Sequence, residues 1–263
     1  MQIGEIDVTP ISDGHFDMPA SYFGDAADFG PHQAMLNADG NLVVPIGCFL
    51  LRTGDRVVLV DAGMGEVDLG FGRGGDLPAG LAAAGVAPAD IDTVVCTHLH
   101  ADHSGWLVKD GAPFFPNATV RFGAGDWEQF VVAGAGGPQT QTDVQLLADL
   151  GRVDVIDADG TAVAPGVTAR MAPGHTAGHV VLILSSGDAR GVLLGDAVTC
   201  PIQLEEPDWQ AMSDVDKDLA ARTREALWQE LEGTDTLAVA AHFPGLEFGR
   251  ILAGEGKRYF AIA

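Results

Sequence analysis

Thr97-His98-Leu99-His100-Ala101-Asp102-His103-Ser104-Gly105 gathers three histidines and an aspartate into six consecutive positions, the pattern H-x-H-x-D-H. Directly before it, Ile91 to Cys96 is a β-branched run that reads as a strand. On the extended continuation of that strand, His98 and His100 project to one side about 6 to 7 Å apart along the chain, so two imidazoles can hold one ion. Ser104-Gly105 then permits a turn, which lets Asp102 and His103 leave the alternation and reach a second ion. A lone histidine is usually a surface residue or a core residue satisfied by backbone carbonyls. Four ligand-type side chains this close together argue against that reading.

Three further polar clusters stand at the ends of apolar runs. Ala172-Pro173-Gly174-His175-Thr176-Ala177-Gly178-His179 places His175 in a loop between the strand candidates Val167 to Met171 and Val180 to Leu184, free to point inward. His179 opens the second of these strands and reads as a support for the loop rather than a ligand. Asp196 follows the run Val192 to Leu194 and Gly195, where glycine allows a carboxylate to approach closely and bridge two cations. His242 follows the strand candidate Thr236 to Ala241 in the same manner. Asp61, ahead of Ala62-Gly63, reads as a turn residue and stays outside the ligand set.

Around these clusters the 263 residues read as short strands punctuated by glycine-rich turns and a few helices. No repeat or linker interrupts them, so a single domain over residues 1–263 is expected. Ile46 to Arg52 and Arg56 to Val60 form a hairpin through Thr53-Gly54-Asp55. Leu77 to Ala84 is helix-like and closes at Gly85. Ala118 to Phe122 and Val153 to Ile156 add strands, while Asp126 to Val132 and Thr142 to Leu150 look helical. The clearest helix runs from Ser213 to Glu232, with Ser213 as cap and Val215, Leu219, Thr223, Ala226, Leu227 and Leu231 on one face. Met18 to Val44 and Gly63 to Asp76 are loop-rich. Their Tyr22, Phe23, Phe29, Met35, Leu69 and Phe71 serve either as an apolar pocket wall or as buried loop anchors. Strands with helices in both halves imply an α+β chain whose helices pack outside paired sheets.

Composition narrows the partners. Fourteen basic against 37 acidic side chains give a formal charge of −23, which repels a phosphate backbone and argues against nucleic acid as a partner. No run approaches the roughly 18 to 20 apolar residues of a membrane span, and Met1 to Asp17 lacks the basic-then-apolar layout of a signal peptide, so a cytoplasmic location is expected. Cys48, Cys96 and Cys200 are too few and too scattered for a disulfide framework or a metal knuckle. A small-molecule substrate remains as the expected partner, with homodimerisation left open.

With these motifs in hand, the chain resembles the metallo-β-lactamase-fold hydrolase superfamily over roughly residues 40 to 245. The resemblance implies an αβ/βα sandwich, two β-sheets face to face with helices outside, and a dinuclear site at one edge. Carried over motif by motif, it implies that His98, His100 and His175 hold one metal and that Asp102, His103 and His242 hold the other, with Asp196 bridging them. Asp61 matches the family's strand-end acid that supports the site. Two divalent ions are implied, zinc first, with iron, manganese or cobalt as other occupants. Two such ions about 3.5 to 4 Å apart share a water and bring its pKa from 15.7 toward about 7, so the expected nucleophile is hydroxide and no serine or cysteine is needed. Asp102 is expected to relay the proton that a leaving alkoxide needs, as lactonases that resemble this chain imply. Two ions against two carboxylates and a hydroxide leave the site near about +1, which suits neutral or singly anionic substrates.

Within the superfamily, the text after Asp196 is similar to the lactonase and methyl-parathion-hydrolase-like branch. It runs from Pro201-Ile202-Gln203 through Pro207-Asp208-Trp209 and Asp214-Val215-Asp216 to Arg222-Thr223-Arg224, with His242-Phe243-Pro244-Gly245 in agreement. Cleavage of a lactone or another carboxylic ester is the expected reaction, and phosphotriester hydrolysis the first alternative. β-Lactamases of this fold usually lack an aspartate where Asp196 stands. Glyoxalase-II-like thioesterases follow that aspartate with a Gly-Cys-Gly-Arg type stretch, where this chain has Ala197-Val198-Thr199-Cys200. Mono-iron dioxygenases need fewer of these ligands. Those three readings stand as further alternatives, and the RNA-processing branches fall away for want of a basic patch. One departure concerns the lactonases themselves. Well-known acyl-homoserine lactonases place a tyrosine three residues after the bridging aspartate, and Thr199 holds that position here.

Overall fold

Period-two alternation sorts the side chains of the central strands onto two faces. Cys48, Leu50 and Leu59 turn toward helices, whereas Phe49, Leu51, Val58 and Val60 turn toward a second sheet. The computed structural model describes residues 1–24, 27–254 and 256–263. Asp25 and Ala26, in the loop-rich stretch 18–44, and Glu255 lie outside the described residues.

Strands β1 (Gln2–Ile3), β2 (Ile6–Pro19), β3 (Asn41–Thr53), β4 (Arg56–Val60), β5 (Gly72–Arg73) and β6 (Thr93–Val95) occupy the first part of the chain. β7 (Val108–Lys109) and β8 (Ala112–Pro113) pair with each other, and β9 (Thr119–Gly123) and β10 (Val153–Ile156) complete the first sheet. Its order is β1-β2-β3-β4-β6-β9-β10, with β5 added on β2. The second sheet runs in chain order through β11 (Thr161–Ala164), β12 (Val167–Met171), β13 (Val180–Ser186), β14 (Ala189–Leu193), β15 (Leu237–Val239), β16 (Gly249–Gly254) and β17 (Lys257–Ile262). β4, β6, β9 and β10 are parallel, as are β14 and β15. Parallel neighbours need crossovers, and helices supply most of them. These are α1 (Leu77–Ala83), α2 (Ala101–Ser104), α3 (Ala124–Asp126) running into a π-helical turn at Trp127–Val132, α4 (Gly137–Asp149), α5 (Ile202–Glu205) and α6 (Lys217–Leu231).

Ile3, Ile6, Val8, Phe49 and Val95 of the first sheet and Val167, Val180, Leu182, Leu184 and Val192 of the second share one buried core. Outside the first sheet, Leu77 and Leu81 of α1 and Val144 and Leu147 of α4 close a separate cluster, and α6 contributes Leu227, Trp228 and Leu231 beside the second sheet. Two sheets thus lie face to face with helices outside, the sandwich that the sequence led one to expect. Among the described residues no helix is long and apolar enough to cross a membrane.

Two sequence expectations need correction. α6 begins at Lys217, and its cap is Asp216, whose side chain accepts from the Leu219 N–H at 2.9 Å. Ser213 instead meets the Tyr22 hydroxyl at 2.6 Å. The buried face of α6 is Ala220, Arg224, Leu227, Trp228 and Leu231, while Val215 and Ala226 are exposed. Arg224 belongs to that face because its guanidinium turns inward to the buried Asp214 carboxylate, a contact that apolar periodicity does not register. Residues 41–44, read as loop, belong to β3 and pair with β2 as far as Pro19. A bulge between Ser12 and Gly14 shifts the register of that pairing, while residues 41–46 keep a regular alternation of burial.

Candidate metal centre

The polar clusters converge where strands of both sheets end. β4 delivers Asp61, β6 the segment from His98 to His103, β12 the loop bearing His175, β14 Asp196 and β15 His242. Gly195 lets Asp196 in. Its φ is +51°, and a Cβ there would lie 2.7 Å from His179 Nε2 and 2.8 Å from Thr97. The Asp196 N–H donates to that His179 nitrogen at 2.9 Å, so His179 supports the turn from behind. Asp126 ties the two histidine loops together, accepting from Leu99 N–H at 2.9 Å and Gly178 N–H at 2.7 Å.

All seven side chains expected to act together are brought together. His98, His100 and His175 form one cluster and Asp102, His103 and His242 a second, each with its ligand-type atoms within 4.8 Å of one another. In the first, His100 Nδ1 lies 2.9 Å from His98 Nε2 and 3.0 Å from His175 Nε2. In the second, Asp102 Oδ2 is 3.3 Å from both His103 Nε2 and His242 Nε2. Asp196 stands between them: Oδ1 is 3.5 Å from His103 Nε2, and Oδ2 is 3.5 Å from His175 Nε2 and 3.3 Å from His242 Nε2. Ligand atoms about 2.0 to 2.1 Å from one tetrahedral ion lie roughly 3.3 Å from each other, so these spacings fit divalent cations. Two buried atoms add to the fit: His103 Nε2 and Asp196 Oδ1 make no hydrogen bond among the described residues.

The outward nitrogens are engaged as well. His175 Nδ1 pairs with Asp214 Oδ1 at 2.9 Å, His242 Nδ1 donates to the Pro45 carbonyl at 2.7 Å, and His98 Nδ1 is 3.1 Å from the Thr97 hydroxyl, whereas His103 Nδ1 faces Asp61 Oδ2 at 2.9 Å as an ion-pair contact without hydrogen-bond geometry. Such contacts fix ring orientation and aim the inner nitrogen at the centre of the site. Asp61 also accepts from the Thr97 N–H and hydroxyl, which gives it the supporting position rather than that of a turn residue. Sequence reasoning missed Asp214, Asp126 and Arg224. Arg224 Nη2 donates to Asp214 at 3.2 Å and Nε to the Ala197 carbonyl at 3.2 Å, so one guanidinium braces the loops of both His175 and Asp196.

Charge divides the two clusters. Burial, reinforced by neighbouring imidazoles, holds His98 well below the ordinary histidine range and brings His100 down to about 4. Burial opposes charge on His103 and His242 too, but the carboxylates outweigh it. Asp102, Asp61 and Asp196 raise His103, and Asp196 with Asp102 raises His242 to about 10. In return, His103 and His242 overcome burial and hold Asp102 and Asp196 below the usual carboxylate range. Without cations, protons on His103 and His242 balance the two carboxylates.

A cavity of about 490 Å³ opens onto His100, Asp102, Asp196 and His242, with Phe16, Met18, Tyr22, Phe71 and Met212 among its walls. The loop aromatics therefore divide. Tyr22 and Phe71 line the cavity, Phe23 and Phe29 are buried with Trp209 in a satellite core, Met35 packs on that core, and Leu69 is exposed. Thr199 is buried and its hydroxyl has no hydrogen-bond partner among the described residues.

The model of the Metallo-beta-lactamase superfamily matches residues 43–242. An N-acyl homoserine lactonase of Bacillus cereus is 29% identical over 173 residues, which cover 59% of this chain and 64% of that protein. The match thus spans less than two thirds of that relative's length. Among solved structures, AidC, a dizinc quorum-quenching lactonase, superposes with a TM-score of 0.88 at 22% identity, over 100% of this chain and 96% of its own. The hydrolase AbOPH of the beta lactamase superfamily gives 0.86 at 24% identity with the same coverage. At these identities the structural likeness speaks for the fold alone.

Proposed function

Because the chain belongs to the metallo-β-lactamase superfamily, we propose that it is a hydrolase that holds two divalent cations, zinc first, and cleaves a lactone or another carboxylic ester. The observation that carries this reading is the two-sided histidine geometry, with inner atoms converging and outer nitrogens held. When bound, the cations would supply an acidified water and polarise the bond to be cleaved. His98, His100 and His175 would hold one, Asp102, His103 and His242 the other, and Asp196 would serve both.

The protein's own groups do the rest. Of the two site carboxylates, Asp102 is the more open, with its side chain 16% exposed against 5% for Asp196. Asp102 lines the cavity, which supports the reading that it hands a proton to a leaving alkoxide. Apolar walls exclude water and favour an uncharged substrate with an apolar arm, and a chain of charge −23 disfavours polyanions. The N-acyl homoserine lactonase relatives support lactone opening.

Elemental analysis paired with a panel of lactones, aryl esters, phosphotriesters and a cephalosporin tests the proposal. Two metal equivalents per chain and preferential lactone or ester cleavage are expected. A single tightly held iron, or inertness toward every ester after zinc loading, would refute it. For Asp102→Asn, loss of turnover is expected, and full turnover with both metals retained would remove Asp102 from the proton-relay role.

A further inference from the structure

Two hydroxyls border the cavity without belonging to the donor set. Tyr22, on the 3-10 turn Ala20–Phe23, and Ser213, ahead of α6, are 191 residues apart in the chain, yet their oxygens meet at 2.6 Å. Both are held in place: Met212 N–H donates to the Tyr22 carbonyl at 2.8 Å, and the Tyr22 ring stands edge-on to Phe23 at 5.2 Å. Two hydroxyls carry two hydrogens. One is spent in the bond between them, and among the described residues neither oxygen makes another hydrogen bond. The second hydrogen is free for an acceptor in the cavity that both side chains line.

The surrounding wall is apolar, with Phe16, Met18, Phe71 and Met212, so an unpaired donor there is costly whenever a ligand displaces water. A scissile ester group has two oxygens, and on the proposed reading the cation site serves both. We infer that the Tyr22–Ser213 pair serves a third oxygen and selects substrates whose apolar arm carries a carbonyl acceptor beyond the scissile ester. Tyr22 is the donor that touches substrate, and Ser213 positions it. This inference rests on the hydrolase reading and narrows its substrate class to uncharged esters or lactones with one acceptor oxygen in the arm. A site built to satisfy such a group discriminates against the analogue that lacks it, because the site's own polar atom is then left unpaired.

Two γ-lactones of equal length provide the test on zinc-loaded protein, one with a carbonyl in its side arm and one with methylenes alone. Wild type is expected to favour the carbonyl-bearing lactone about ten-fold in kcat/KM, the worth of one neutral hydrogen bond. Tyr22→Phe should bring the ratio to near parity, and Ser213→Ala should lower it part of the way. A wild-type ratio near parity, or a preference that survives both substitutions, overturns the inference. Calorimetric binding of the same two lactones gives a ratio that does not depend on turnover. If neither lactone were cleaved, the hydrolase reading would fail by itself, while the binding ratio in wild type and in either variant would still decide the role of the hydroxyl pair.

Discussion

Replacing Asp214 with asparagine separates two duties that one buried carboxylate performs. Its Oδ1 lies 2.9 Å from His175 Nδ1, and its Oδ2 accepts from Arg224 Nη2 at 3.2 Å. Asparagine keeps only one oxygen. If that oxygen stays on His175, the new amide N–H groups face the guanidinium, donor against donor, and the Arg224 charge loses its counter-ion. Arg224 is only 3% exposed, so solvent gives little relief, and stranding a buried charge costs about 3 to 5 kcal/mol. At about 2 to 4 °C per kcal/mol for a chain near this size, Tm should fall by roughly 6 to 20 °C. His175 also loses a carboxylate partner, which typically costs a further 10- to 100-fold, order of magnitude, in metal affinity. Asp214→Asn with Arg224→Met removes the stranded charge along with its partner. That double variant should recover most of the Tm but none of the affinity. Calorimetric melting in the presence of chelator reads the first effect, and competition with a chromogenic zinc chelator reads the second. An affinity that returned together with Tm would show that His175 does not depend on the Asp214 charge, and an unchanged Tm in the single variant would show that Arg224 has other means of support.

Other consequences can be measured with the same preparations. His179→Ala strands the buried Asp196 N–H, so stability should drop by about 1 to 3 kcal/mol in urea unfolding and zinc affinity with it; an unaltered midpoint contradicts the supporting role. Zinc binding at pH 7 must displace the protons that Asp102 and Asp196 hold on His103 and His242, so about two protons should leave per chain. Titration calorimetry in buffers of different ionisation enthalpy counts them, and no release would mean that those histidines are already neutral. Chelated protein should lose stability on both sides of neutrality. His100 is lowered to about 4, and His98 and His179 are lowered as well, so their contribution is present above the unfolded value near 6.5 and is lost as pH falls toward 4. His103 and His242 are raised, so theirs is present below about 6.5 and is lost as pH climbs through about 10 for His242. Urea midpoints that stay flat from pH 4.5 to pH 9.5 would show these groups to be uncoupled from folding.

What the sequence disclosed and what it hid follow from range. His98, His100, Asp102 and His103 are neighbours, so their spacing is itself a geometric statement, and His175, Asp196 and His242 each close an apolar run. The hairpin 46–60 and the helices read at Leu77 to Ala84 and Thr142 to Leu150 likewise announce themselves through local period and turn chemistry, although the second of these starts earlier, at Gly137. Supports need only proximity in the folded chain. Asp126 clasps Leu99 and Gly178 from a helix start that reads as ordinary, and Asp13 accepts from Met64, Leu77 and Trp106 across as many as 93 positions. Ser213 shows the competing pull of a local rule. A serine three residues before an aspartate at a helix start reads as a cap, yet Asp216 takes the cap and Ser213 turns to Tyr22.

One long-range support did leave a trace. With α6 started by Asp216, Arg224 falls between Ala220 and Trp228 at spacings of four, on the face that Leu227 and Leu231 bury. A guanidinium on such a face must have a carboxylate within reach, because leaving it unpaired costs more than a helix of this length can recover elsewhere. Asp218 belongs to the first turn and is exposed, which leaves the segment ahead of the cap as the source. Asp214 is the acidic residue there, and once it faces inward its second oxygen has to find a donor. His175, whose Nε2 faces His100 and Asp196, has its Nδ1 to offer. The charge on one helix face therefore predicts the orientation of a ligand two segments away, and the Asp214 and Arg224 substitutions above test that chain of reasoning link by link.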